Sequence, residues 1–383
     1  MAIRDRLRGV ASLIALSSSY ARRRPAAVLP ALRMALHVGV RARDAPVLRP
    51  DATLLASLPD ITPVCSLVSD THLVIARRSP CELEHEPEQW PWGAMPSSDE
   101  LEHGVRRLLD HLARHAPRTV VWCGDEVDTG DPAEWRAWSA AVHAVPGLAH
   151  RLVPGNHDIC FNRPFDQDYD LARRALRERA YQQHAGRLAE FPVVDTIVGD
   201  AGTVTVVLLD SCRHRSTHVL SNAVGAFGDD QLAELARQLD RARGPVLCVA
   251  HHHVWRDKTF VQPEDWYNVA IDADRLVAIL DAYRARHARN HVMICHGHRH
   301  VQTAGIVGDA VAVVGMPSST LGDKGDTGRL DGIMRYGVAG LRRDGTWAVA
   351  MQDVGPLMIA NDDDTDRTDS RATWRTAVTR PRP

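Results

Sequence analysis

Three histidines at alternate positions, His296, His298 and His300, begin at the end of a short apolar segment, HVMIC, that is typical of a buried strand. Alternate residues of an extended chain point to the same side, so these imidazoles can converge on one object, and a metal ion is the natural candidate. The chain has 20 histidines among 383 residues, so one HxH pair could arise by chance. Further ligands elsewhere in the chain are therefore needed to support a metal site.

Side chains of similar chemistry, namely carboxylates, an amide and imidazoles, follow four other apolar segments. They are Asp70 and His72 after VCSLV, Asp125 and Asp128 after TVVWC, Asn156, His157 and Asp158 after RLV, and His251, His252 and His253 after PVLCVA. Ligand sites in open α/β sheets form at the carboxyl ends of the strands. Five such strand ends therefore predict one site, and its carboxylates and imidazoles suit Mn, Fe or Zn.

The elements that would hold these groups alternate along the chain from residue 61. Strands are predicted at 64–68, 119–123, 151–153, 203–209, 245–250 and 291–295, and helices near 98–115, 132–143, 168–186, 229–243 and 271–287. This alternation predicts a layered α/β architecture. Apolar runs at 310–315, 336–341 and 347–351 have no long helices between them and predict a terminal antiparallel stretch.

In their order, the five groups resemble the signature of the calcineurin-like metallophosphoesterase superfamily, which reads DxH, GDxxD, GNH(D/E), a strand-ending His and GHxH. The matches are Asp70 to His72, Gly124 to Asp128, Gly155 to Asp158, His251, and Gly297 to His300. The resemblance covers residues 61–355 and implies a four-layer α/β/β/α sandwich of two mixed sheets with flanking helices. It leaves the substrate open, because one fold of this kind hosts many functions.

The resemblance also implies roles for these residues. It assigns seven of them to two metal ions: Asp70, His72 and His300 to one, Asn156, His251 and His298 to the other, and Asp125 to both. Two ions of Mn, Fe or Zn would share a hydroxide that attacks phosphorus and would stabilise the developing charge. His157 would protonate the leaving oxygen or hold the phosphate, and Asp128 would orient it.

Several assignments stay open at this stage. The residue directly after the strand usually matches the ligand, which favours His251 over His252. For His296 a packing role is favoured over contact with a ligand, and for Asp158 a helix cap or a hydrogen bond to a ligand is favoured over catalysis. Asp210 and Ser211 could either form a turn or border the pocket. The loop from Met316 to Ser319 could likewise either pack against the core or border the pocket.

The motifs also indicate a branch of the superfamily. The protein Ser/Thr phosphatase branch reads GDxVDRG and then GNHE, whereas here Thr129 replaces the arginine and Asp158 replaces the glutamate. GNHD, VLLDS, GxFGDDQLAEL and the histidines after PVLCVA are more similar to bacterial cyclic-nucleotide and glycerophosphodiester phosphodiesterases. We therefore expect a phosphodiesterase that acts on a small phosphoester. The alternatives are a phosphomonoesterase, a nuclease or a non-catalytic metal-binding scaffold.

The amino-acid composition indicates which binding partners and which cellular compartment to expect. The net charge of -2 and the many acids in the loops 81–100 and 255–270 give no strong nucleic-acid signal. Seven cysteines without a CxxC pair indicate a reducing compartment, so a cytoplasmic location is expected. No apolar run approaches the roughly 18 residues of a membrane-spanning helix.

The two ends of the chain are predicted to differ from the middle. Residues 1–60 carry ten arginines against four acids and are predicted to be a basic, helical extension that contacts a membrane surface or a partner, or packs on the core. A signal peptide is disfavoured by Asp5 and the arginines at 22–24. Residues 356–383 lack periodicity and are predicted to form a flexible tail.

Overall fold

The computed structural model describes residues 41, 44–75, 96–159, 171–213, 223–256, 268–288, 290–325 and 329–357. Within them, seven strands form one mixed sheet: β1 (Arg49–Pro50), β5 (Val193–Gly199), β6 (Gly202–Leu208), β7 (Val246–Val249), β8 (Val292–His296), β9 (Thr303–Val307) and β10 (Val311–Gly315). Five strands form a second mixed sheet: β2 (Thr62–Val68), β3 (Thr119–Trp122), β4 (Ala149–Leu152), β11 (Ile333–Leu341) and β12 (Trp347–Pro356). The strand orders are β1-β9-β10-β8-β7-β6-β5 and β12-β11-β2-β3-β4.

The described residues also form six bounded α-helices: α1 (Ser98–His115), α2 (Pro132–His143), α3 (Asn156–Ile159), α4 (Leu171–His184), α5 (Asp229–Leu239) and α6 (Ala273–Arg286). Two of them begin with capping boxes, in which Ser97 pairs with Glu100 and Asp131 pairs with Glu134. Each box satisfies backbone N–H groups that have no partner within the helix. These local signals explain why both helices begin where the sequence predicts.

Three apolar layers hold the sandwich together. Along β7, Val246 and Cys248 face the core beneath α5 and α6, while Leu247 and Val249 face the core between the two sheets. The outer face of the five-stranded sheet packs in the same way against α1 and α2. Alternate strand residues point to opposite faces, so a strand that is buried on both sides reads as a continuous apolar run. The order helix, sheet, sheet, helix is the predicted four-layer α/β/β/α architecture.

The last three apolar runs divide between the sheets. β11 and β12 pair antiparallel in the five-stranded sheet, whereas β10 pairs parallel with β8 in the seven-stranded sheet. The run at 310–315 therefore does not belong to the same antiparallel stretch as the other two. Sequence reasoning missed β5 and β9, and also β1, which lies within the segment predicted to be helical. β5 is an edge strand with partly exposed residues, so it lacks the strong apolar run that marks the central strands.

Part of the predicted N-terminal extension belongs to the sandwich. β1 pairs antiparallel with β9, Leu54 is buried between the sheets, and 3-10 turns cover Ala52–Leu54 and Leu58–Asp60. Residues 1–40, 42 and 43 of the predicted helical extension lie outside the described residues, as do the tail from residue 358 and most of both acidic loops. Among the helices of the described ranges, none has the length and apolar character needed to cross a bilayer.

Candidate metal centre

The seven side chains predicted to bind metal all lie beyond the carboxyl ends of strands. They are Asp70 and His72 after β2, Asp125 after β3, Asn156 after β4, His251 after β7, and His298 and His300 after β8. β2, β3 and β4 run parallel in one sheet, and β7 and β8 run parallel in the other. Both sheets therefore contribute to one pocket at the same end of the sandwich.

One group of donor atoms consists of Asp70, His72 and His300. The Nε2 atoms of His72 and His300 are 3.0 Å apart, and His300 Nε2 lies 3.2 Å from Asp70 Oδ1. All three ligand atoms lie within 4.8 Å of one another. This is the set that the sequence resemblance assigns to the first ion.

The second group consists of Asn156, His251 and His298. His251 Nε2 lies 3.1 Å from Asn156 Oδ1 and 3.1 Å from His298 Nδ1. The backbone N–H of His298 donates to Asp70 Oδ1 over 3.0 Å, which ties this group to the first. The structure therefore brings the residues assigned to the second ion together as well.

Asp125 lies between the two groups. Its Oδ2 atom is 3.2 Å from His251 Nε2 and 3.9 Å from His72 Nε2, and its Oδ1 atom accepts the backbone N–H of His157 over 2.8 Å. Burial opposes ionisation of this carboxyl, but the nearby imidazoles of His251 and His157, when protonated, lower its pKa. Asp125 is thus an ionised carboxylate with one oxygen atom facing both groups.

Five of the seven residues have a left-handed backbone conformation: Asp70, His72, Asp125, His298 and His300. They are the five non-glycine residues with positive φ in the described ranges, with φ between 46° and 71°. This conformation is costly for residues with a Cβ atom and collects at functional sites. The fold therefore holds strained backbone at the positions that the motifs single out.

Two motif glycines allow the loops of this pocket to approach each other closely. A Cβ atom on Gly155 would overlap the Oδ1 and backbone N atoms of Asp125. A Cβ atom on Gly297 would overlap Ser69 Oγ and Asp70 Oδ2. The glycines of GNHD and GHxH are thus required by packing around the two aspartates.

Hydrogen bonds on the far side of two imidazoles define which nitrogen faces the pocket. His251 Nδ1 donates to the Cys123 carbonyl over 2.9 Å, and His72 Nδ1 donates to Asp128 Oδ1 over 3.2 Å. A neutral ring that donates from Nδ1 presents a lone pair at Nε2, which is the arrangement usual for metal-binding histidines. The Nε2 atom of His72 faces His300 Nε2, and the Nε2 atom of His251 faces Asn156 Oδ1. Because lone pairs face each other at both places, a cation fits between the atoms of each pair.

His157 lies beside these two groups, but it is not one of the seven residues predicted to bind metal. Its Nδ1 atom donates to the Asp128 carbonyl over 2.7 Å and is 3.4 Å from Asp128 Oδ1. Burial lowers the pKa of His157, but the carboxylates of Asp125 and Asp128 outweigh it and raise the pKa to about 9. A third set of nearby donor atoms is formed by His72 of the first group, Asp125 between the groups, and His157, so His157 borders the reaction space.

Thr129 occupies the position of the arginine in the protein phosphatase motif. Its backbone N–H and its hydroxyl both donate to Glu134 Oε2 over 2.9 Å. Burial and the negative charge of Asp128 raise the pKa of Glu134 from 4.5 to about 7, against the effect of these hydrogen bonds. Thr129 therefore stabilises the loop before α2 through its two hydrogen bonds to Glu134.

Glu134→Gln should make stability less dependent on pH. The folded state holds the Glu134 proton more tightly than the unfolded state, so this residue's contribution is complete below pH 4.5 and is lost as the pH rises through about 7. Relative to wild type, the variant should gain up to about 3 kcal/mol between pH 4.5 and 8. Urea unfolding of chelator-treated proteins at several pH values measures this gain. Glu190→Gln, at an exposed position, is the control, and a constant difference between wild type and Glu134→Gln would contradict the expectation.

Asp158 organises the Asp125 loop. Its carboxylate accepts the backbone N–H groups of Asp125, Val127 and Gly155 over 2.8 to 3.1 Å. Beside it lies Glu126, whose pKa burial and the Asp158 charge raise well above the ordinary value, so Glu126 is neutral. Sequence reasoning missed Glu126, which occupies an unspecified position of GDxxD, and no sequence signal would have marked it.

The adjacent histidines His251 and His252 have different environments. His252 Nδ1 lies 2.8 Å from Ser211 Oγ, which also accepts the His252 backbone N–H. The His252 ring packs against His298 with 4.5 Å between ring centroids, and His252 belongs to none of the three donor groups found in the described residues. Ser211, from VLLDS, thus holds His252 behind the pocket.

His251→Ala and His252→Ala should separate a ligand from its neighbour. We expect His251→Ala to remove one tightly bound ion, because it deletes a nitrogen from the centre of the second group. His252→Ala should weaken metal binding by about 10- to 100-fold at most, the effect of losing a residue that supports a ligand. Metal content after dialysis, combined with chelator competition, measures both effects. The reverse order of losses would make His252 the ligand.

The remaining candidates have supporting positions. His296 Nε2 accepts from Trp255 Nε1 over 3.1 Å, and burial lowers the pKa of His296 to about 4, so it has a packing role. Asp210 accepts the Cys212 backbone N–H over 2.8 Å in a turn. The loop after β10 braces the Asp70 loop: Ser318 Oγ donates to Asp70 O over 2.6 Å, and Ser319 Oγ accepts Ser69 N–H over 3.0 Å.

Comparison with known proteins agrees with this geometry. Residues 67–302 match the model of the family described as calcineurin-like phosphoesterase, and the chain belongs to that family. With the His and Asp donor groups, this membership makes the protein a metal-dependent hydrolase of phosphoric esters. No curated protein sequence matches the chain.

Solved structures that show similarity to this chain include phosphatases and nucleotidases. A dimetal phosphatase from Danio rerio is 14% identical, with a TM-score of 0.49, and the match covers 78% of this chain and 98% of that one. A putative 5'-nucleotidase from Staphylococcus aureus is 14% identical, with a TM-score of 0.41, over 78% of this chain and 56% of that one. A 5'-nucleotidase from Candida albicans is 11% identical, with a TM-score of 0.38, over 81% and 53%.

Proposed function

We propose that this protein hydrolyses a small phosphodiester at a centre of two divalent or trivalent metal ions. The first ion would be held by Asp70, His72 and His300 and the second by Asn156, His251 and His298, with Asp125 available to both. Mn, Fe or Zn in these positions would lower the pKa of a water that they share and stabilise negative charge on phosphorus. The observation that carries the proposal is the place of Asp125, whose Oδ2 faces His72 on one side and His251 on the other.

The residues of the chain orient the substrate and move a proton. His157 is held by the backbone carbonyl of Asp128 and lies edge-on to the His72 ring, with 4.6 Å between the ring centroids. Burial lowers the pKa of His157, but the nearby carboxylates, Asp128 among them, raise it above its ordinary value, which favours a protonated ring that can give its proton to the leaving oxygen. Asp128 accepts a hydrogen bond from His72 at Oδ1 and one from His157 at its backbone carbonyl, so it positions the proton donor relative to a predicted metal ligand.

The diester preference rests on the charge around the reaction space. Arginine binds two oxygens of a phosphate at once and suits the doubly charged monoester. Thr129 replaces the arginine of the protein phosphatase branch and is engaged by Glu134. A singly charged diester requires less positive charge, which favours it over a monoester.

Hydrolysis of two chromogenic esters tests this function. Mn-loaded protein is assayed with bis(p-nitrophenyl) phosphate and p-nitrophenyl phosphate, with chelator-treated protein as the control. We expect metal-dependent hydrolysis of both, with a higher kcat/KM for the diester. If protein that holds two ions hydrolyses neither ester, the proposed phosphoesterase activity is refuted. If it hydrolyses the monoester faster than the diester, the proposed preference for diesters is refuted. A parallel screen of cyclic nucleotides, glycerophosphodiesters and nucleotide diphosphate esters would then define the substrate.

A further inference from the structure

A cavity of about 480 Å³ lies at the end of the sandwich opposite the metal centre. Its lining includes His291 and Val292, at the amino end of β8, and Trp347, where β12 begins. β8 leads from this cavity to His298 and His300, and its five residues span about 16 Å. Cavities of about 300 to 1,000 Å³ commonly hold small molecules in proteins. This cavity is therefore a candidate binding site separate from the reaction space.

Part of the lining is apolar. Leu54, Val292, Ala312 and Trp347 contribute to it, and all four residues are buried. The indole of Trp347 is held in place, because its Nε1 atom donates to the His291 carbonyl over 3.1 Å. Removing apolar surface from water is favourable, so this part of the cavity suits a ligand with an apolar body.

Two arginines give the cavity a polar side: Arg284, near the end of α6, and Arg342, directly after β11. The guanidinium group of Arg342 is engaged, since it donates to the backbone carbonyls of Thr53 and Trp347. The Nε atom of Arg284 is buried and has no hydrogen-bond partner within the described ranges. A buried donor without an acceptor is costly, so Arg284 favours a ligand that supplies one.

The two acids in the lining do not supply that acceptor. Asp51 Oδ1 accepts the backbone N–H of Thr53 over 3.0 Å and its hydroxyl over 2.6 Å. Asp344 Oδ1 accepts the same two groups of Thr346 over 2.9 Å and 2.6 Å. Each carboxylate thus stabilises its own turn, and in the part of the chain that the structure describes neither one hydrogen-bonds to Arg284 Nε.

We propose that this cavity binds a small organic monocarboxylate, whose apolar body packs against Trp347 and whose carboxylate accepts from Arg284. Guanidinium groups hold carboxylates through parallel hydrogen bonds. A doubly charged phosphate suits the cavity less, because the carboxylates of Asp51 and Asp344 in the lining oppose a second negative charge. Burial, followed by the charge of Arg284, lowers the pKa of His291, so this ring is neutral at pH 7. This binding does not depend on the function proposed for the metal centre.

Benzoate is the probe for this site, and titration calorimetry of the full-length protein measures its affinity. We expect zinc-loaded and chelator-treated protein to bind benzoate equally, because the cavity is remote from the metal centre. Benzamide, which lacks the charge, and acetate, which lacks the apolar ring, should each bind at least about 10-fold more weakly. Benzoate binding that requires zinc, or tighter binding of phenylphosphonate than of benzoate to chelator-treated protein, would overturn the inference.

Substitutions locate the bound benzoate. Arg284→Gln should weaken its binding by about 10- to 100-fold, as for a lost hydrogen bond to a charged group. The matched control is Arg286→Gln, at an exposed position of the same helix, which should behave as wild type. Ala310→Leu keeps both arginines but fills part of the cavity, so it should also weaken binding, and circular dichroism shows whether each variant is folded. The site is refuted if wild type does not bind benzoate, or if folded Arg284→Gln or Ala310→Leu binds it with wild-type affinity.

Discussion

His157→Ala should reduce kcat by about 10²- to 10⁴-fold, the usual contribution of a proton-transfer group. The protein should still hold two metal ions, because the His157 Nδ1 atom is engaged by the Asp128 carbonyl. The measurement is kcat together with metal content by elemental analysis. His103→Ala, at an exposed position of α1, is the matched control and should behave as wild type.

The leaving group distinguishes the two roles considered for His157. A proton donor matters most when the leaving oxygen is basic, so the loss in His157→Ala should be larger for phenyl esters than for p-nitrophenyl esters. A residue that only holds the phosphate would give equal losses with both esters. Full activity in His157→Ala would remove this residue from the mechanism. Loss of a metal ion would instead make it a ligand, as its proximity to His72 and Asp125 permits.

Asp125→Asn should have the second large effect, on metal content as well as on turnover. The amide keeps the size of the side chain and an acceptor for the His157 N–H, but it removes the negative charge that faces both donor groups. We expect the variant to retain fewer than two ions after dialysis and kcat to fall by about 10³-fold or more.

The control for this variant is Asp110→Asn, which makes the same change at an exposed position of α1. Circular dichroism and urea unfolding show whether Asp125→Asn remains folded, so that a loss of activity is not mistaken for unfolding. If Asp125→Asn keeps two tightly bound ions and more than a tenth of the wild-type activity, Asp125 does not join the two halves of the centre.

Much of the fold could be predicted from local sequence patterns, which involve residues close together in the chain. The central strands appeared as apolar runs because they are buried on both faces, and α1 and α2 appeared with their ends because Ser97, Glu100, Asp131 and Glu134 form capping boxes. The strands that were missed depend on partners distant in sequence. β9 forms between β1 and β10, and β5 forms at an edge beside β6, so neither needs a strong apolar run.

The candidate site shows the same division. The resemblance of the five motifs predicted seven donor residues at the strand ends, and the structure places those residues close together, while their role as ligands stays a prediction. The motifs did not predict the supports behind the pocket, such as neutral Glu126 beside Asp158 or Ser211 against His252. These residues satisfy buried polar groups that become neighbours only after the loops have folded against each other.

By itself, the sequence determined the chemistry of the site, namely which Asp, Asn and His residues follow which strands, because those residue types and intervals are local. Only the tertiary structure decided which atoms meet. Successive strand residues point to opposite faces, so the orientations of His251 and His252 depend on how β7 faces the other sheet. The positive φ angles of Asp70, Asp125 and His300 were likewise not readable from the sequence, because residues with a Cβ atom adopt this conformation only where the surrounding structure holds them in it.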